Sequence, residues 1–331
     1  MIKERVGVLG SGSWATALVK VLQTNGIPVN WWVREENVAK ELKDTGINPR
    51  YLQNVIFDTD LINVYTDIKS VINISDVLLL VIPSSYIHSS FSEITPKMLK
   101  GKKIISAVKG IIPETNQIVA NYFKTEFKMT SWSIGVISGP SHAEEIALGG
   151  LTFLTAAARN KKLGELIANM FRCHFVKIVS SRDLYGIEYA GVLKNIYAVG
   201  GGILKGLGYG DNLFASYIAN CTMEMRVFIR QLHPIERIFH HSAYLGDLLV
   251  TSYSQYSRNT KFGTLVGQGK TIEQVFDEMN MVAEGYNAVK CVYEINKEYD
   301  AKTPIIDTIY NILYNGKDAQ TEMQKLINML R

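Results

Sequence analysis

One lysine lies in the middle of a segment that otherwise carries almost no charge. Lys194 and the amide of Asn195 stand in EYAGVLKNIYAVGGGIL, residues 188–204, where nearly every other side chain is small or apolar. Such a lysine either extends its amine to the surface along its aliphatic chain or is held in a closed cleft. In a cleft, burial and neighbouring cations lower the pKa of a lysine from about 10.4 to roughly 7–8. A lysine of that kind can transfer a proton to or from an alcohol or ketone oxygen near neutral pH.

A dense polar stretch, GDLLVTSYSQYSRNTKFG (246–263), follows in the second half of the chain. Asp247 and Thr251 are four residues apart, so they share one face if the stretch is helical. A carboxylate such as Asp247 would orient a buried amine and oppose the fall in its pKa. The adjacent donors Ser257, Arg258 and Asn259 favour a phosphate clamp, because a guanidinium binds two oxygens at once. The alternative is a solvated loop.

A glycine motif of the form GxGxxA opens the chain as GSGSWA (10–15), between a predicted strand and a predicted helix. Gly10 permits a tight turn, and Gly12 lets backbone N–H groups approach a pyrophosphate. Ala15 allows the helix to pack closely on the strand, and the helix N-terminus faces the anion. The motif therefore predicts a dinucleotide site, with a tight turn of no further function as the alternative.

The residues after the second predicted strand bear on the choice of cofactor. An acidic residue there favours the free ribose hydroxyl of NAD, whereas an arginine favours the 2′-phosphate of NADP. The sequence WWVREEN has Arg34 first, then Glu35 and Glu36. We expect NADP or dual use, with Arg34 stacking on adenine or holding a phosphate. A solvated arginine that begins a helix is the alternative.

Several polar or small residues come directly after predicted parallel strands, where open α/β sheets bind their ligands. Lys109 follows one such strand and would point toward the crevice, with an ordinary surface lysine as the alternative. The turn Gly139-Pro140-Ser141 follows another strand and would let a ligand approach the backbone.

The element pattern predicts an α/β protein in which a Rossmann-like, mostly parallel sheet precedes an all-α second domain. We place a dinucleotide-binding domain at 1–183 and a helical substrate and catalytic domain at 184–331, with the boundary near 181–187. Strands are predicted at 5–10, 29–33, 77–83, 103–108, 133–138, 152–157 and 175–179. Helices are predicted at 13–25, 35–44, 182–205, 211–232, 271–279, 284–298, 303–314 and 317–330.

Composition excludes several classes of protein. The net charge is only +4 in 331 residues and no Lys/Arg-rich block occurs, so we expect no nucleic-acid partner. The cysteines, three in number and far apart, read as reduced thiols without zinc spacing. The six histidines carry no metal motif, so we expect no metal. Without a signal peptide or an apolar span, the expected location is the cytoplasm.

Motifs along essentially the whole chain resemble the NAD(P)-dependent glycerol-3-phosphate dehydrogenases of the soluble bacterial type. They are GSGSWATAL, KGI, SGPSHA, EYAGVLKNIYAVGGGI, GLGYGDN, GDLLVTSYSQYSRNTKFG and VAEGYNA, in the family's order. The resemblance implies interconversion of sn-glycerol 3-phosphate and dihydroxyacetone phosphate with NAD or NADP. That reaction supplies the backbone of membrane phospholipids.

The resemblance also implies roles for individual residues. Lys194 matches the proton donor and acceptor. The positions that match substrate-binding residues are Lys109, Gly139, Ser141, Asp247, Ser257, Arg258 and Asn259. Those that match cofactor-binding residues are Ser11, Trp14, Arg34, Lys109, Ala143, Arg258, Val282 and Glu284, together with Gly10 and Gly12 of the glycine motif. We expect the substrate to bind between the two domains.

Some features depart from the family pattern or leave alternatives open. The approach HHSAYLGDLL and the segment 228–239 are bulkier or more charged than expected, and SSYIHSS is only a loose match. One rival is a related hydroxy-acid or ketopantoate-type dehydrogenase, which SRN argues against. The other is a sensor that binds NAD(P)H without turnover and has no need of Lys194. The oligomeric state stays open, with a homodimer as the candidate.

Overall fold

The computed structural model describes residues 2–254, 256–279 and 283–331. The chain forms two compact units. The first consists of Met1–Val108 and Val119–Ile187, and the second of Lys109–Ile118 and Glu188–Arg331. The predicted domain boundary at residue 183 stays a prediction.

The first unit is built on one sheet, which has eight strands among the described residues. The strands are β1 (Val6–Leu9), β2 (Val29–Trp32), β3 (Ile62–Tyr65), β4 (Val77–Leu80), β5 (Lys103–Ser106), β6 (Ile134–Ser138), β7 (Thr152–Ala158) and β8 (Val176–Ser181). Their order is β3-β2-β1-β4-β5-β6-β7-β8, and every neighbouring pair is parallel except β6 with β7. This topology confirms the predicted α/β class with a Rossmann-like, mostly parallel sheet.

Helices cover the sheet of the first unit. They are α1 (Ser13–Thr24), α2 (Glu36–Thr45), α3 (Ile68–Ile74), α4 (Ser84–Ser90), α5 (Val119–Phe127), α6 (Ala143–Ala147) and α7 (Lys161–Phe171). Short 3-10 turns occupy Thr59–Leu61 and Ser131–Ser133. The core includes Leu18 of α1, Trp31 of β2 and Phe171 of α7, each without exposed surface. Burial on both faces explains why β1 and β4 are continuous apolar runs.

The sheet differs most from the sequence prediction at two places. Strand β3, INVY, was not predicted, because its four residues alternate between buried and exposed and form the edge of the sheet. The predicted strand 77–83 ends at Leu80, since Val81–Pro83 lead out of the sheet toward α4.

The described part of the second unit is helical apart from one isolated bridge between Ile112 and Gln117. Its elements are α8 (Leu184–Gly206, which begins in the first unit), α9 (Asp211–Leu232), a π-helical turn (Ser242–Gly246), α10 (Asp247–Tyr253), α11 (Arg258–Gly267), α12 (Ile272–Glu278), α13 (Glu284–Tyr299), α14 (Pro304–Tyr314) and α15 (Ala319–Ile327). A buried carboxylate on α9 caps α14: Glu224 accepts hydrogen bonds from the backbone N–H groups of Ile305 and Ile306.

Helices α8 and α11 approach closely through glycines on both. A Cβ built on Gly263 of α11 would lie 1.9 Å from the carbonyl oxygen of Val199, and one built on Gly202 of α8 would lie 2.2 Å from that of Thr260. These distances leave no room for a side chain. The close contact holds the start of α11, with Arg258 and Asn259, against the helix that carries Lys194.

We expect Gly263→Ala to destabilise the protein by about 1–3 kcal/mol, since overpacking a tight contact outweighs the gain in helix propensity. The matched control is Gly164→Ala in α7, where a Cβ would meet no atom within 4 Å. That change should be neutral or stabilising. Thermal denaturation of both variants measures the difference, and an unchanged melting temperature for Gly263→Ala would contradict the contact.

Candidate active site

Lys194 is buried in the centre of α8. Every residue from 186 to 204 is buried, and the Lys194 side chain is only 7% exposed. The alternative in which its amine reaches the surface is therefore wrong. Its Nζ donates hydrogen bonds to Asp247 Oδ1 at 2.5 Å and to Thr251 Oγ1 at 2.8 Å.

A second lysine shares the same carboxylate. Lys109, in the segment of the second unit that follows β5, places Nζ 3.0 Å from Asp247 Oδ2, and its side chain is 15% exposed. The interpretation of Lys109 as an ordinary surface lysine is wrong. We call Lys109, Lys194 and Asp247 the lysine–aspartate cluster. Its single buried carboxylate lies between two amines, so one amine at a time has a full counter-charge.

Burial and charge together set the proton affinity of this cluster. Burial and the charge of Lys109 lower the pKa of Lys194, the charge of Asp247 raises it, and the net result is a pKa of about 7. Burial by itself would raise the pKa of Asp247, but the two ammonium groups outweigh that effect and hold it below its usual value. Asp247 therefore stays ionised at neutral pH while Lys194 gains and loses its proton there.

Helix geometry supplies the partners of the cluster. Asp247 begins α10, and Thr251 lies one turn later, where its hydroxyl also donates to the Asp247 carbonyl at 2.7 Å. The predicted shared helix face is confirmed, and the solvated loop is wrong for 247–253 and for 258–267, which are helices.

A chain of amides joins four segments of the second unit beside the cluster. Asn195 donates to the Lys109 carbonyl at 2.7 Å and accepts a hydrogen bond from Asn259 Nδ2 at 2.9 Å. Asn259 Oδ1 in turn accepts from the backbone N–H of Gly285, next to Glu284 in the first turn of α13. Thr251 and Asn195 are thus part of the site although the sequence assigned neither a role. Two features of the sequence pointed to them: Asn195 directly follows Lys194, and Thr251 shares a predicted helix face with Asp247.

Arg258 is the first residue of α11, and its side chain is exposed. Ser257 caps this helix by accepting from the backbone N–H of Thr260. The positive end of a ten-residue helix and a guanidinium thus lie together, which suits a phosphate. The structure brings Arg258, Asn259 and the lysine–aspartate cluster into one unit.

The glycine motif of the first unit forms the predicted turn. Gly10 has φ +122°, and a Cβ there would lie 2.7 Å from the Val81 carbonyl oxygen. Gly12 caps α1, and a Cβ there would meet no atom within 4 Å, so this side of the turn is open. The Trp14 indole donates to the Ala107 carbonyl at 3.1 Å. Both the turn and the helix N-terminus fit the pyrophosphate of a dinucleotide.

Other predicted binding residues lie in the first unit. Gly139 has φ +131° and leads from β6 into a turn where Ser141 Oγ donates to the Gly139 carbonyl at 2.9 Å. Ala143 begins α6. Arg34 follows β2 and donates to Glu35 Oε1 at 2.9 Å. The predicted cofactor residue Val282 lies outside the described residues. All of these assignments stay predictions.

Within the described ranges, no group of three or more His, Cys, Asp and Glu side chains is arranged to hold a metal ion. Of the helices described here, none is both long and apolar enough to cross a membrane.

Comparisons with known proteins agree with the motifs. A family model described as the N-terminus of NAD-dependent glycerol-3-phosphate dehydrogenase matches residues 5–164, and the corresponding C-terminus model matches 183–324. The glycerol-3-phosphate dehydrogenase (NAD(P)+) of Bacillus subtilis is 33% identical over 325 residues, which are 98% of this chain and 94% of the relative.

Solved structures give the same result. Glycerol-3-phosphate dehydrogenase from Coxiella burnetii has a TM-score of 0.90 at 28% identity, covering 98% of this chain and 99% of its own. A ketopantoate reductase from Ralstonia eutropha reaches a TM-score of 0.60 at 12% identity, covering 96% of this chain and 99% of its own. The second likeness extends to the fold alone.

Proposed function

The chain belongs to the NAD-dependent glycerol-3-phosphate dehydrogenase family, and from this we propose that it interconverts sn-glycerol 3-phosphate and dihydroxyacetone phosphate with NAD(H) or NADP(H). The observation that carries the proposal is the buried lysine–aspartate cluster, in which Lys194 has a pKa of about 7. A protein that only sensed the nucleotide would have no use for a buried amine that titrates at neutral pH.

The reaction transfers a hydride and a proton. Both go to the ketone in the reduction, and both leave the alcohol in the oxidation. When bound, the nicotinamide supplies or takes up the hydride. In the reduction, the Lys194 ammonium gives its proton to the ketone oxygen of dihydroxyacetone phosphate. In the oxidation, the neutral amine takes the proton of the hydroxyl group. Asp247 and Thr251 hold the amine by the hydrogen bonds described above.

The remaining residues of the second unit bind and orient the substrate. Lys109 adds positive charge where negative charge develops on the oxygen. Arg258 and Asn259 grip the phosphate at the start of α11, and Ser257 holds that helix end in place. Ser11, Trp14 and Arg34 are the proposed cofactor contacts of the first unit, beside the turn formed by Gly10 and Gly12.

A direct assay tests the proposal. The nicotinamide absorbance of NADH and of NADPH is followed in parallel, with and without dihydroxyacetone phosphate. We expect oxidation of the cofactor only when the phosphorylated ketone is present. Oxidation by a non-phosphorylated hydroxy-acid precursor instead, or binding of the cofactor without turnover, would overturn the proposal in favour of one of the two rivals.

The phosphate clamp makes a separate prediction. Arg258→Ala should raise KM for dihydroxyacetone phosphate by about 10-fold to 100-fold, because hydrogen bonds to charged groups contribute about 1.5–3 kcal/mol. The control is Arg226→Ala, which removes another exposed arginine of the second unit, from α9. An unchanged KM in Arg258→Ala would show that the phosphate binds elsewhere.

We also propose that the enzyme works in the cytoplasm and supplies glycerol 3-phosphate for phospholipid synthesis. The cysteines Cys173, Cys221 and Cys291 are free thiols, which suits a reducing compartment. A homodimer and the lack of a nucleic-acid partner remain predictions from the sequence. Sedimentation of the purified protein tests the first of these.

A further inference from the structure

A buried asparagine ties a distant segment to the glycine turn of the first unit. Asn48 has no exposed surface, and its Nδ2 donates to the Ser11 carbonyl at 3.0 Å and to Thr16 Oγ1 at 2.9 Å. Its Oδ1 accepts from the backbone N–H groups of Arg50 at 3.1 Å and Tyr51 at 3.3 Å. The backbone of Arg50 is therefore fixed beside the turn that would hold the pyrophosphate.

The side chain of Arg50 meets the end of β2 at a carboxylate. Glu35 Oε1 lies 2.9 Å from Arg34 Nη2 and 3.7 Å from Arg50 Nη1, so one oxygen faces both guanidinium groups. The Arg34 guanidinium also lies 5.5 Å from the centre of the Tyr86 ring, which limits its orientation. Two cations and one anion thus meet at the position that selects between the two nicotinamide cofactors.

The ion pairs of this group are easily rearranged. The side chains of Arg34 and Arg50 are 63% and 53% exposed, and exposed pairs contribute little to stability. Burial by itself would raise the pKa of Glu35, yet the hydrogen bond from Arg34 and the charge of Arg50 hold it below its usual value. The carboxylate is therefore ionised at neutral pH and competes with any anion that approaches the two arginines.

We infer that Arg50 and Glu35 determine the cofactor specificity of this protein. Arg50, together with Arg34, binds the 2′-phosphate of NADP(H), and Glu35 accepts a hydrogen bond from the free ribose hydroxyl of NAD(H). The 2′-phosphate must displace Glu35 from the arginines, so the two residues act in opposite directions. The sequence singled out no arginine other than Arg34 at this position, because Arg50 lies after α2 and is brought beside Glu35 by the fold, with its backbone N–H held by Asn48.

This inference rests on the proposed function only in taking a nicotinamide dinucleotide as the ligand. Its test is binding without substrate, by calorimetric titration of NADPH, NADH and adenosine 2′,5′-bisphosphate into the purified protein. Arg50→Gln should lower the affinity for NADPH and for the bisphosphate by about tenfold or more. It should change the affinity for NADH by less than about threefold. Glu35→Gln should raise the affinity for NADPH and lower the affinity for NADH, each by about threefold or more.

A matched control is available in the same unit. Arg5 forms an exposed pair with Asp76 at 2.9 Å, its side chain is also 63% exposed, and it lies at the amino ends of the strands. Arg5→Gln should leave all three affinities unchanged. The Arg50 side chain is exposed and that of Glu35 is partly buried, and equal melting temperatures of the variants would show that they fold.

The outcomes separate cleanly. The inference is overturned if Arg50→Gln lowers the affinities for NADH and NADPH equally, or lowers neither. It is also overturned if Glu35→Gln leaves the ratio of these two affinities unchanged. Should the variants shift the affinities as expected while the wild-type protein fails to reduce dihydroxyacetone phosphate, the proposed function fails and the assignment of Arg50 and Glu35 stands.

Discussion

Replacing Lys194 by alanine is expected to lower kcat for dihydroxyacetone phosphate reduction by a factor of about 10²–10⁴, the usual contribution of a general acid or base. The amine donates to both Asp247 and Thr251, so its loss removes the proton donor and leaves the carboxylate with Lys109. Cofactor affinity should change little, because the glycine turn belongs to the other unit. Initial rates with both cofactors measure the effect.

The pH dependence of the wild-type enzyme gives an independent check on the same residue. Because the pKa of Lys194 is about 7, kcat/KM for ketone reduction should fall as the pH rises through about 7. The rate of glycerol 3-phosphate oxidation should rise over the same range.

The control for Lys194→Ala is Lys205→Ala, which removes another lysine of α8, one that donates to the Ser252 carbonyl. Near wild-type turnover in Lys194→Ala, or an equal loss in Lys205→Ala, would refute the role of Lys194.

Asp247→Asn should have the second large effect. Removing the carboxylate leaves the buried Lys194 amine and the partly buried Lys109 amine without their counter-charge, and breaking a buried pair in this way costs about 3–5 kcal/mol of stability. Asp247 raises the pKa of Lys194, so without it the inflection of the pH–rate profile should move to lower pH. Urea denaturation and the pH profile of kcat/KM measure the two effects.

The sign of the pH effect on stability follows from the same groups. The pKa of Lys194 is lowered from 10.5 to about 7 in the folded protein, so between these values the unfolded chain binds more protons. Stability from this group therefore increases as the pH rises from about 7 to 10.5. In Asp247→Asn, the loss of stability should be greater below pH 7 than at the upper end of this window, because Lys194 is then charged and has lost its counter-charge.

A second buried acid, Glu224, provides a control that separates the effect of Asp247 on stability from its effect on the pH–rate profile. Glu224 is buried in the same unit, and burial raises its pKa to about 8 although the N–H groups of Ile305 and Ile306 oppose the shift. Glu224→Gln should change stability without moving the pH–rate inflection, because Glu224 caps α14 and is not part of the lysine–aspartate cluster. A shift of equal size in both variants would mean that the inflection reports general loosening of the unit.

Local patterns in the sequence determined the class of the fold and most of its elements. Helix α9 was predicted at its exact bounds, because its apolar residues recur with the period of a helix between clear ends. The glycine turn could be predicted for a similar reason, since Gly10 must adopt a positive φ that other residues avoid. Strand β3 was not predicted, because four residues that alternate between buried and exposed at a sheet edge carry too weak a pattern.

The tertiary structure decided what the polar residues do. The sequence left two alternatives for Lys194, a surface amine or a buried one, and only the burial of residues 186–204 excluded the surface. Lys109 and Asp247 are 138 residues apart, and Asn48 and Ser11 are 37 apart, so no local period brings either pair together. Hydrophobic periodicity reports which face of an element is buried, whereas the partner of a buried polar group is fixed by how distant elements pack. The sequence therefore showed which residue types were available for chemistry. Only the contacts of the fold made one of them, Lys194, a defined proton donor.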